Sequence, residues 1–475
     1  MSGDAARDQF GDLIGELRAE IAGLRAQVDK LTIANAALTA ANVELVAENV
    51  RLQGLLEESR RGGKRQAAPF SKGDPVPEPK KAGRKKGVNH GKHARRAVPT
   101  RIDRELDASL PDGCPHCGGH ILADGMHDQF VCEVPKAEPI ITRFRIQVGH
   151  CTNCRRRIQG HHPEQHSDAI GAAAVQLGPR ALGIGHLLHY QYGLSFARAA
   201  AVLAEMFGLP VTRAALCRAA ASTAVDLVPT QKAIELAVNT ATMVVADETG
   251  WKIGGRRAWL WVVTSRNATA YRVTKGRGYP DITPLLTANY TGVLVRDGWK
   301  PYRKYRKATH QSCCAHLARR CHELREELPA WRHGFVNQVT EILDEGFAYR
   351  DAERPLEQRL AAAAELQDRL EVLCRGPVVG ERNRVFSRHL LREAPAIFTF
   401  LTHDTDAANW RAEQAIRPAV VNRKCFGGNR TKVGAVTQQT MMSFLVTARQ
   451  QGHDILDTLV RLAREPTPGP AFTIT

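Results

Sequence analysis

Hydrophobic residues recur at every seventh position along the first 60 residues of the chain. The apolar column consists of Leu17, Leu24, Leu31, Leu38, Leu45 and Leu52, with Ile14, Ile21 and Val28 at the alternate core position. This heptad spacing predicts a coiled coil over residues 1–60. Asn35, Asn42 and Asn49 continue the seam, and buried asparagines favour a parallel dimer because they pair best in register. A single amphipathic helix packed on the body of its own chain is the alternative.

A second helical pattern, rich in alanine and leucine, covers residues 166–240. Ser195 and Thr212 stand where two helices would begin, and their side chains suit N-caps. Two helices joined by the turn 207–212 resemble a helix-turn-helix, in which Arg213 at the start of the second helix would meet DNA. Helix pairs of this shape are also common in ordinary bundles, so both interpretations stay open.

Short apolar runs that lead into an acid mark the next part of the chain. Residues 243–246 precede Asp247 and residues 292–296 precede Asp297, and each run predicts a short buried strand that ends on an acid. Glu413 lies in a segment of helical character. Acids at strand ends are often plain loop residues. Two at strand ends and one on a helix can instead converge on divalent cations, which prefer oxygen ligands.

The remaining periodicity completes an α/β pattern around these acids. Residues 259–264 and 268–273 predict neighbouring antiparallel strands, and this order of strands and helices fits a ribonuclease-H-like fold. Between the second and third acids, residues 313–401 predict an all-helical insertion. Its candidate core residues are Leu317, Leu324, Leu328, Ile342, Leu360, Leu366 and Leu370.

Four cysteines form two C-x2-C pairs, and this spacing suits a tetrahedral structural Zn²⁺ site. They are Cys114, Cys117, Cys151 and Cys154. Residues 130–134 and 140–146 between the pairs predict strands, which would give a zinc ribbon. Arg155, Arg156 and Arg157 follow the last cysteine and favour contact with DNA. Cysteines buried in a core without a metal are the alternative.

The charge of the chain favours a polyanionic partner. Its formal net charge is +17, and the segment 61–100 is rich in lysine, arginine, glycine and proline, which predicts a disordered basic linker. Arg84, Lys85 and Lys86 in this linker are candidates to bind DNA phosphates. A charge run that only increases solubility is the alternative. We find no apolar run of membrane-spanning length and no signal peptide, so we expect a cytoplasmic, nucleoid-associated protein with reduced cysteines and no membrane partner.

Three segments around the acids resemble the acidic motifs of the insertion sequence 66 transposases. They are residues 245–251 (Val-Ala-Asp-Glu-Thr-Gly-Trp), residues 295–299 (Val-Arg-Asp-Gly-Trp) and residues 409–418. Residues 422–431 resemble the basic, glycine-containing segment that follows the third acid in that family. The coiled coil, basic linker, cysteine pairs and helical region precede these motifs in the same order, so the resemblance covers nearly the whole chain.

This resemblance implies a DDE-type DNA transposase, and it strengthens the inference of a ribonuclease-H-like catalytic core. The implied catalytic residues, which would bind two Mg²⁺ (or Mn²⁺) ions, are Asp247, Asp297 and Glu413. Residues expected to support them are Glu248, His316 and Asn409. Glu248 should point to the opposite face of its strand because it is adjacent to Asp247. A histidine buried in a helix without a functional role is the alternative for His316.

Basic residues near the acids are candidates to hold DNA phosphates. They are Lys300, Arg303, Lys304, Arg417, Arg423, Lys424 and Arg430. Tyr302 and Tyr305 are interleaved with Lys300, Arg303 and Lys304, and this interleaving is typical of surfaces that follow a nucleic acid strand. Gly427 and Gly428 would let the backbone approach a phosphate closely. A solvated basic turn is the alternative for the residues that follow Asp297.

The chain departs from the family at two positions near the third acid. Trp410 stands where family members often have an asparagine, and Gln414 stands where they usually have an arginine. Neither change alters the three acids. The lost arginine could weaken contacts to phosphate, which puts catalytic competence in question.

The sequence thus predicts a multidomain α+β protein. Its predicted parts are a coiled-coil leucine zipper (1–60), a basic linker (61–100), a zinc ribbon (101–165), a helical DNA-binding region (166–240), a ribonuclease-H-like core in two parts (241–312 and 402–475) and a helical insertion (313–401). As a transposase it would act as at least a homodimer on transposon ends and target DNA, and accessory proteins of the same element are possible partners. A metal-dependent nuclease and a catalytically inactive DNA-binding regulator are the alternatives.

Overall fold

The structure is a computed structural model that describes residues 4–64, 96–465 and 469–474. The side chains of the first helix are described only in part. The chain divides into two compact units, Met1–Phe130 and Val131–Thr475, and each is described by itself. Most of the predicted basic linker, with Arg84, Lys85 and Lys86, lies outside the described residues.

The first unit contains one long helix, α1 (Asp4–Lys64). It confirms the helix predicted for residues 1–60, and at about 1.5 Å per residue it is about 90 Å long. The leucine column remains exposed along the helix, from 49% at Leu17 to 70% at Leu31. The coiled-coil dimer therefore stays a prediction. No helix or strand is formed by the described residues 96–130.

The second unit contains the strands and the other helices. Its strands are β1 (Val148–His150), β2 (Arg157–Gln159), β3 (Met243–Ile253), β4 (Arg256–Thr264), β5 (Thr269–Thr274), β6 (Val293–Arg296) and β7 (Thr309–Ser312). Its α-helices are α2 (Pro179–His186), α3 (Phe196–Phe207), α4 (Arg213–Asp226), α5 (Val228–Thr240), α6 (Tyr279–Ile282), α7 (Cys314–Glu327), α8 (Gly334–Asp351), α9 (Leu356–Arg375), α10 (Glu381–Glu393), α11 (Thr399–Thr402), α12 (Trp410–Phe426), α13 (Lys432–Gln450) and α14 (Ile455–Leu462). None of the described helices combines the length and the apolar character needed to cross a lipid bilayer.

Five strands form a mixed sheet in the order β5-β4-β3-β6-β7. β3, β4 and β5 are antiparallel neighbours, whereas β6 is parallel to β3 and β7 is parallel to β6. The two antiparallel strands predicted after Asp247 are confirmed as β4 and β5.

The prediction that the first strand ends at Asp247 is wrong. β3 continues to Ile253 because residues 248–253 pair with β4 across a hairpin turn at Gly254 and Gly255. Both glycines have positive φ (57° and 76°), the conformation that tight hairpin turns require. On the side of β6, however, the pairing of β3 stops at Val245.

Helices cover both faces of the sheet. One face packs Val245, Val262 and Val295 against Ala412 and Ile416 of α12. The opposite face is buried by α5 and by the segment that follows β5, through a cluster that includes Val244, Ile234, Leu285, Tyr302 and Tyr305. Both faces of the central strands are therefore apolar, which explains why they appear as continuous hydrophobic runs in the sequence.

Helix α13 closes the outer edge of the sheet along β5. The backbone N–H groups of Thr269, Tyr271 and Val273 donate to Thr447 Oγ1, Ser443 Oγ and Gln439 Oε1 at 2.9–3.0 Å. These bonds satisfy an edge that would otherwise be free to pair with another strand. They also explain why a buried helix carries a row of polar side chains.

Residues 314–402 form helices, as predicted, around their own apolar cluster. Of the candidate core residues, Leu317, Leu324, Ile342, Leu366 and Leu370 are buried, and Leu328 packs against the cluster from its edge. The prediction that Leu360 belongs to the core is wrong, because this residue lies on the exposed side of α9.

The two predicted N-caps of the middle helical region are confirmed. The Ser195 hydroxyl accepts from the Arg198 N–H, and Thr212 Oγ1 accepts from the Ala215 N–H at 3.1 Å. The strands predicted for 130–134 and 140–146 are wrong, since no strand is assigned there. Pro135 directly follows the first run and Pro139 directly precedes the second, and a proline cannot donate to a strand ladder. The short hairpin β1–β2 flanks the second cysteine pair instead.

Candidate active site

The register of two parallel strands places Asp247 beside Asp297. Val245 of β3 lies opposite Val295 of β6, and each aspartate follows its valine by two residues. Side chains two residues apart in an extended chain point to the same face. Both aspartates therefore lie at the carboxyl end of the β3–β6 pair, on the face that packs against α12.

Helix α12 brings the third acid to this face. Ala412, Ile416 and Ala419 pack on the sheet beside Val245 and Val295, so the helix is held against both strands. Glu413 lies in its first turn, next to the buried Ala412. An amphipathic helix with its apolar side on the sheet thus carries an acid at the edge of its contact surface.

The charges of the three acids interact. Burial and, after it, the negative charges of Glu248, Asp297 and Glu413 together raise the pKa of Asp247 to about 7, although the Glu248 N–H that donates to Asp247 Oδ1 opposes the rise. Within the described residues, none of Asp247, Asp297 and Glu413 has an Arg, Lys or His side chain as an ion-pair partner. The site is a concentration of uncompensated negative charge in a basic protein.

The acids share this region without forming a closed ligand set. Nowhere in the described part of the chain do three His, Cys, Asp or Glu side chains stand close enough to bind one metal ion. Mutual repulsion of carboxylates opposes such an approach, and a bound divalent cation would remove it. The donors themselves are oxygens, the chemistry that Mg²⁺ and Mn²⁺ prefer.

Glu248 points to the opposite face of β3, as the strand alternation predicts. It accepts from Tyr302 Oη at 2.5 Å and pairs with Arg277 at 2.6 Å. The Arg277 guanidinium lies between the rings of Trp259 and Trp299, at 4.6 and 3.9 Å from their centroids. The negative charge of Glu248 is thus compensated inside the sheet, in contrast to Asp247.

The pKa of Asp247 predicts a pH-dependent stability of the metal-free chain. The folded chain keeps this proton up to about pH 7, whereas the unfolded chain loses it near pH 3.8. The free energy of unfolding therefore falls as pH rises through this window, by up to about 4 kcal/mol from this group. We expect Asp247→Asn to remove this part of the decline, measured as the melting temperature between pH 5 and 8 in EDTA. An unchanged pH dependence in the variant would contradict the environment described for Asp247.

Asn409 and Cys313 fix the start of the helix that carries Glu413. The Cys313 thiol donates to Asn409 Oδ1 at 3.1 Å, and the Glu413 N–H donates to the Asn409 carbonyl at 3.0 Å. Asn409 Nδ2 and His316 Nδ1 are buried atoms without a hydrogen-bond partner in the described residues. Asn409, whose carbonyl accepts from the Glu413 N–H, thus keeps an amide donor that could bind a ligand oxygen or a water.

The first acidic motif and the basic segment after α12 are joined by hydrogen bonds. Trp251 Nε1 donates to Asn429 Oδ1 at 2.7 Å. Arg423 donates to Thr249 Oγ1 at 3.1 Å and to the carbonyl of Gly250. The role predicted for Arg423, binding phosphate, is thus accompanied by a structural contact that holds α12 on β3.

Gly428 serves the packing of this segment on β3. It has φ of 100°, and a Cβ atom there would lie 2.6 Å from the Lys252 carbonyl oxygen. The Asn429 N–H donates to the same oxygen at 3.0 Å. The absence of a side chain at Gly428 therefore allows close packing on β3, and the approach to a phosphate stays a prediction.

Two neighbouring glycines allow the cost of this approach to be measured. Gly427 also has positive φ (81°), but a Cβ atom there would meet nothing within 4 Å. We expect Gly427→Ala to cost about 1–2 kcal/mol of unfolding free energy from backbone strain alone. Gly428→Ala should cost at least about 1–3 kcal/mol more, because the strand or the loop must move. Denaturant unfolding of both variants checks this, and equal losses would contradict the contact.

The basic residues predicted near the acids fall into two groups. Those that are exposed and have no acidic partner in the described residues are Lys300, Lys304, Arg417, Lys424 and Arg430. Arg303 instead pairs with Glu393 at 2.5 Å. The interpretation of Tyr302 and Tyr305 as part of a surface that follows a nucleic acid strand is wrong, because both rings are completely buried in the sheet cluster.

The part of the chain that carries the three acids is similar to a known protein family. The family model described as "Transposase IS66 family" matches residues 175–437, which is more than half of the chain and includes all three acids. The chain belongs to this family. It is also 28% identical over 241 residues to the "Uncharacterized protein y4qI" of Sinorhizobium fredii (strain NBRC 101917 / NGR234). That match covers 44% of the chain and 44% of the relative, so less than half of the relative's length is represented.

One ion-pair network of this IS66 family member was missed by the sequence analysis. Glu393, at the end of α10, is fully buried and pairs with Arg296 and Arg303. Burial opposes its ionisation, but the two guanidinium groups outweigh this and lower the pKa of Glu393. Arg296 immediately precedes Asp297, so the network ties the helical segment 314–402 to the strand that carries the second acid. No local pattern signals a contact across about 100 residues.

The loop after Asp297 has a second contact with α10. A Cβ atom at Gly298 would lie 2.6 Å from His389 Cε1, so the imidazole ring occupies the space that only a glycine leaves free. The Trp299 N–H donates to Asp297 Oδ1 at 2.8 Å within the same loop. The Asp-Gly-Trp motif of this family member is therefore explained by local geometry.

The departures from the family pattern lie on the outer side of α12. Trp410 is 49% exposed, and the Arg411 guanidinium lies 4.6 Å from its ring centroid. Gln414 is exposed in the same turn. Neither side chain forms part of the contact between α12 and the sheet.

The two cysteine pairs of this family member have the same local geometry. In each, the first cysteine carbonyl accepts a backbone N–H four residues later at 2.8 Å, from Gly118 and from Arg155. These two residues have positive φ, 74° and 53°. Backbone N–H groups of the turn lower the pKa of Cys114 and of Cys151, led by those of His116 and Cys154 respectively. Such thiols suit metal binding, because the thiolate is the ligand.

The other residues predicted to bind DNA are placed as follows. Arg155, Arg156 and Arg157 are exposed on the β1–β2 hairpin and at its turn. Arg213 is exposed at the first position of α4. Arg155 adopts its positive φ although it is not a glycine, at a backbone cost of about 1–2 kcal/mol. Their contact with DNA stays a prediction.

Proposed function

We propose that this chain is a DDE-type DNA transposase. It would bind transposon ends, free a 3′-hydroxyl at each end by metal-dependent hydrolysis and transfer that hydroxyl to target DNA. The observation that supports this proposal best is the strand register that brings Asp247 beside Asp297 at the end of the β3–β6 pair, where the charge of Glu413 also acts on Asp247 and no ion-pair partner for the three acids stands among the described residues. Acids without a cationic partner in a chain of net charge +17 are candidates for a functional site, and their oxygens suit a divalent cation.

The chain's residues divide the work at this site. Asp247 and Asp297 would bind two Mg²⁺ or Mn²⁺ ions between them, and Glu413 would complete the ligand set. When bound, such ions activate the attacking oxygen and stabilise the leaving oxygen of a phosphodiester. Asn409 Nδ2 and His316 Nδ1 are free to orient a phosphate oxygen or a water. Lys300, Lys304 and Arg417 would hold the DNA backbone beside the acids.

The sheet supports a ribonuclease-H-like core. An antiparallel meander β3-β4-β5 is extended on the side of β3 by the parallel strands β6 and β7. β3 and β6, the first and fourth strands of the sheet in chain order, are neighbours, and this brings Asp247 and Asp297, which are 50 residues apart in sequence, to one edge. This placement supports the proposed chemistry.

The rest of the chain would recognise DNA and pair the two ends. We infer a structural Zn²⁺ bound by Cys114, Cys117, Cys151 and Cys154, since each pair has the C-x2-C spacing and the pKa of its first thiol is lowered by the turn. The exposed leucine column of α1 would form a parallel homodimer. The basic linker, Arg155–Arg157 and Arg213 would contact the ends, and accessory proteins of the same element are further candidate partners.

A strand-transfer assay tests this proposal. The full chain is incubated with a pre-cleaved transposon end, supercoiled target DNA and Mg²⁺. We expect joined products that disappear with EDTA. Cutting without joining would assign a metal-dependent nuclease instead. Binding without either reaction, at every Mg²⁺ and Mn²⁺ concentration, would leave a DNA-binding regulator.

A further inference from the structure

The tip of the β3–β4 hairpin carries a compact group of cations that no predicted role includes. Lys252, Arg256 and Arg257 are all exposed beside the turn. Lys252 lies directly opposite Arg257 in the strand register. Like charges at directly opposed positions destabilise a sheet by a few tenths of a kcal/mol to about 1 kcal/mol. A favourable interaction outside the folded chain would offset this repulsion.

A second basic segment is fixed against the same hairpin. Ile253 forms a parallel bridge to Asn429, and the Gly254 N–H donates to the Asn429 carbonyl at 2.8 Å. Arg430 follows directly, and its carbonyl lies 3.2 Å from the position of a Cβ atom on Gly254. Lys432 then begins α13, where a cation opposes the helix dipole. Two chain segments thus assemble one surface of unfavourably placed cations.

These cations are distinguished by their grouping at one turn. On the helices of 314–402, several arginines pair with neighbouring acids, as in Arg320–Glu323 at 3.0 Å and Arg369–Glu345 at 2.5 Å. At the hairpin surface, no ion pair is formed within the described residues by Lys252, Arg256, Arg257, Arg430 or Lys432, although the Arg257 guanidinium lies 5.0 Å from the centroid of the Trp259 ring. The surface therefore concentrates positive charge that no nearby acid neutralises.

We propose that this hairpin surface, formed by Lys252, Arg256, Arg257, Arg430 and Lys432, binds the phosphate backbone of duplex DNA. The inference rests on the proposed function, because the bound duplex would be the one whose phosphodiester reacts at the acids. Lys252 is five residues along β3 from Asp247, which is about 17 Å in an extended strand, and this odd spacing points it to the opposite face of β3. The contacted phosphates would therefore lie at the tip of the hairpin, outside the acidic site. The contact is to phosphates and carries no base sequence.

Salt-dependent DNA binding tests the inference. The chain carries Asp247→Asn so that no reaction occurs, and the affinity for a mixed-sequence duplex is measured by fluorescence anisotropy between about 50 and 200 mM salt. The test variant is Lys252→Gln/Arg256→Gln/Arg257→Gln. The control is Arg319→Gln/Arg354→Gln/Arg392→Gln, which removes the same charge from exposed positions of the helical segment.

The logarithm of the affinity falls linearly with the logarithm of the salt concentration, and each lost phosphate contact should make this negative slope shallower by about 0.9. We expect the slope to become shallower by about 2–3 for the hairpin variant and by less than about 1 for the control. The melting temperature of the free hairpin variant should be unchanged or higher, because repulsion is relieved. Equal slopes for the two variants would overturn the inference. This outcome leaves the proposed function intact, since strand transfer by the unmodified chain is measured separately.

Discussion

Asp247→Asn is expected to lower the rate of strand transfer by at least about 1,000-fold. The substitution keeps the size of the side chain and removes the charge that would bind both cations. Metal ions supply several kcal/mol of transition-state stabilisation, and about 4 kcal/mol corresponds to a factor of 1,000. Asp297→Asn and Glu413→Gln should act in the same direction. The rate is measured with a pre-cleaved end in Mg²⁺, so that end cleavage does not limit it.

An exposed aspartate provides the matched control. Asp344 lies on the surface of α8, and Asp344→Asn makes the same chemical change away from the site. The control should join DNA at the unmodified rate. Asp247→Asn should keep its affinity for DNA and should melt no lower than the unmodified chain above pH 7, because its charge destabilises the metal-free fold. Strand transfer by Asp247→Asn within about tenfold of the unmodified chain would exclude Asp247 from catalysis.

Glu393→Ala is expected to cost about 3–5 kcal/mol of unfolding free energy. Glu393 has no exposed surface, and Arg296, which it neutralises, is only 3% exposed. Removing one partner of a buried ion pair leaves an uncompensated charge in the interior, which is the costly case. The loss should appear as a lower denaturation midpoint and as weaker strand transfer, because Arg296 immediately precedes Asp297.

The exposed pair Glu345–Arg369 separates burial from charge. Its side chains are 43% exposed, so Glu345→Ala should cost no more than about 1 kcal/mol. Glu393→Gln keeps hydrogen-bond acceptance and should lose less than Glu393→Ala. If Glu393→Ala were as mild as Glu345→Ala, the helical segment would not be anchored to the β6 strand through this network.

Sequence periodicity predicted the elements whose signals are local. The heptads of α1, the caps Ser195 and Thr212, and the strands β4 and β5 each follow from a few adjacent side chains. The grouping of Asp247, Asp297 and Glu413 came from family resemblance. The register of β3 and β6 explains why the two aspartates lie close together, since Val245 and Val295, each two residues before its aspartate, are paired.

Other features depended on contacts between distant segments. The extension of β3 past Asp247 requires β4 as a partner, and the burial of Tyr302 requires Glu248 as its acceptor. The alternation of tyrosines with basic residues after Asp297 therefore predicted a nucleic acid surface, whereas both tyrosines belong to the core. Gly428 was expected to allow close approach to a phosphate, and the group that lies close to it in the fold is the Lys252 carbonyl of β3. Composition cannot distinguish these outcomes, because each depends on which surface a segment packs against.

Site-directed cleavage by bound iron tests the central claim, a cation site shared by three distant acids, most directly. Fe²⁺ replaces Mg²⁺ in the full chain, ascorbate and peroxide are added, and the backbone fragments are mapped by mass spectrometry. We expect cuts within a few residues of Asp247, Asp297 and Glu413, all suppressed by excess Mg²⁺ and by Asp247→Asn. Cuts near only one of the three, or cuts that Asp247→Asn does not reduce, would contradict the account.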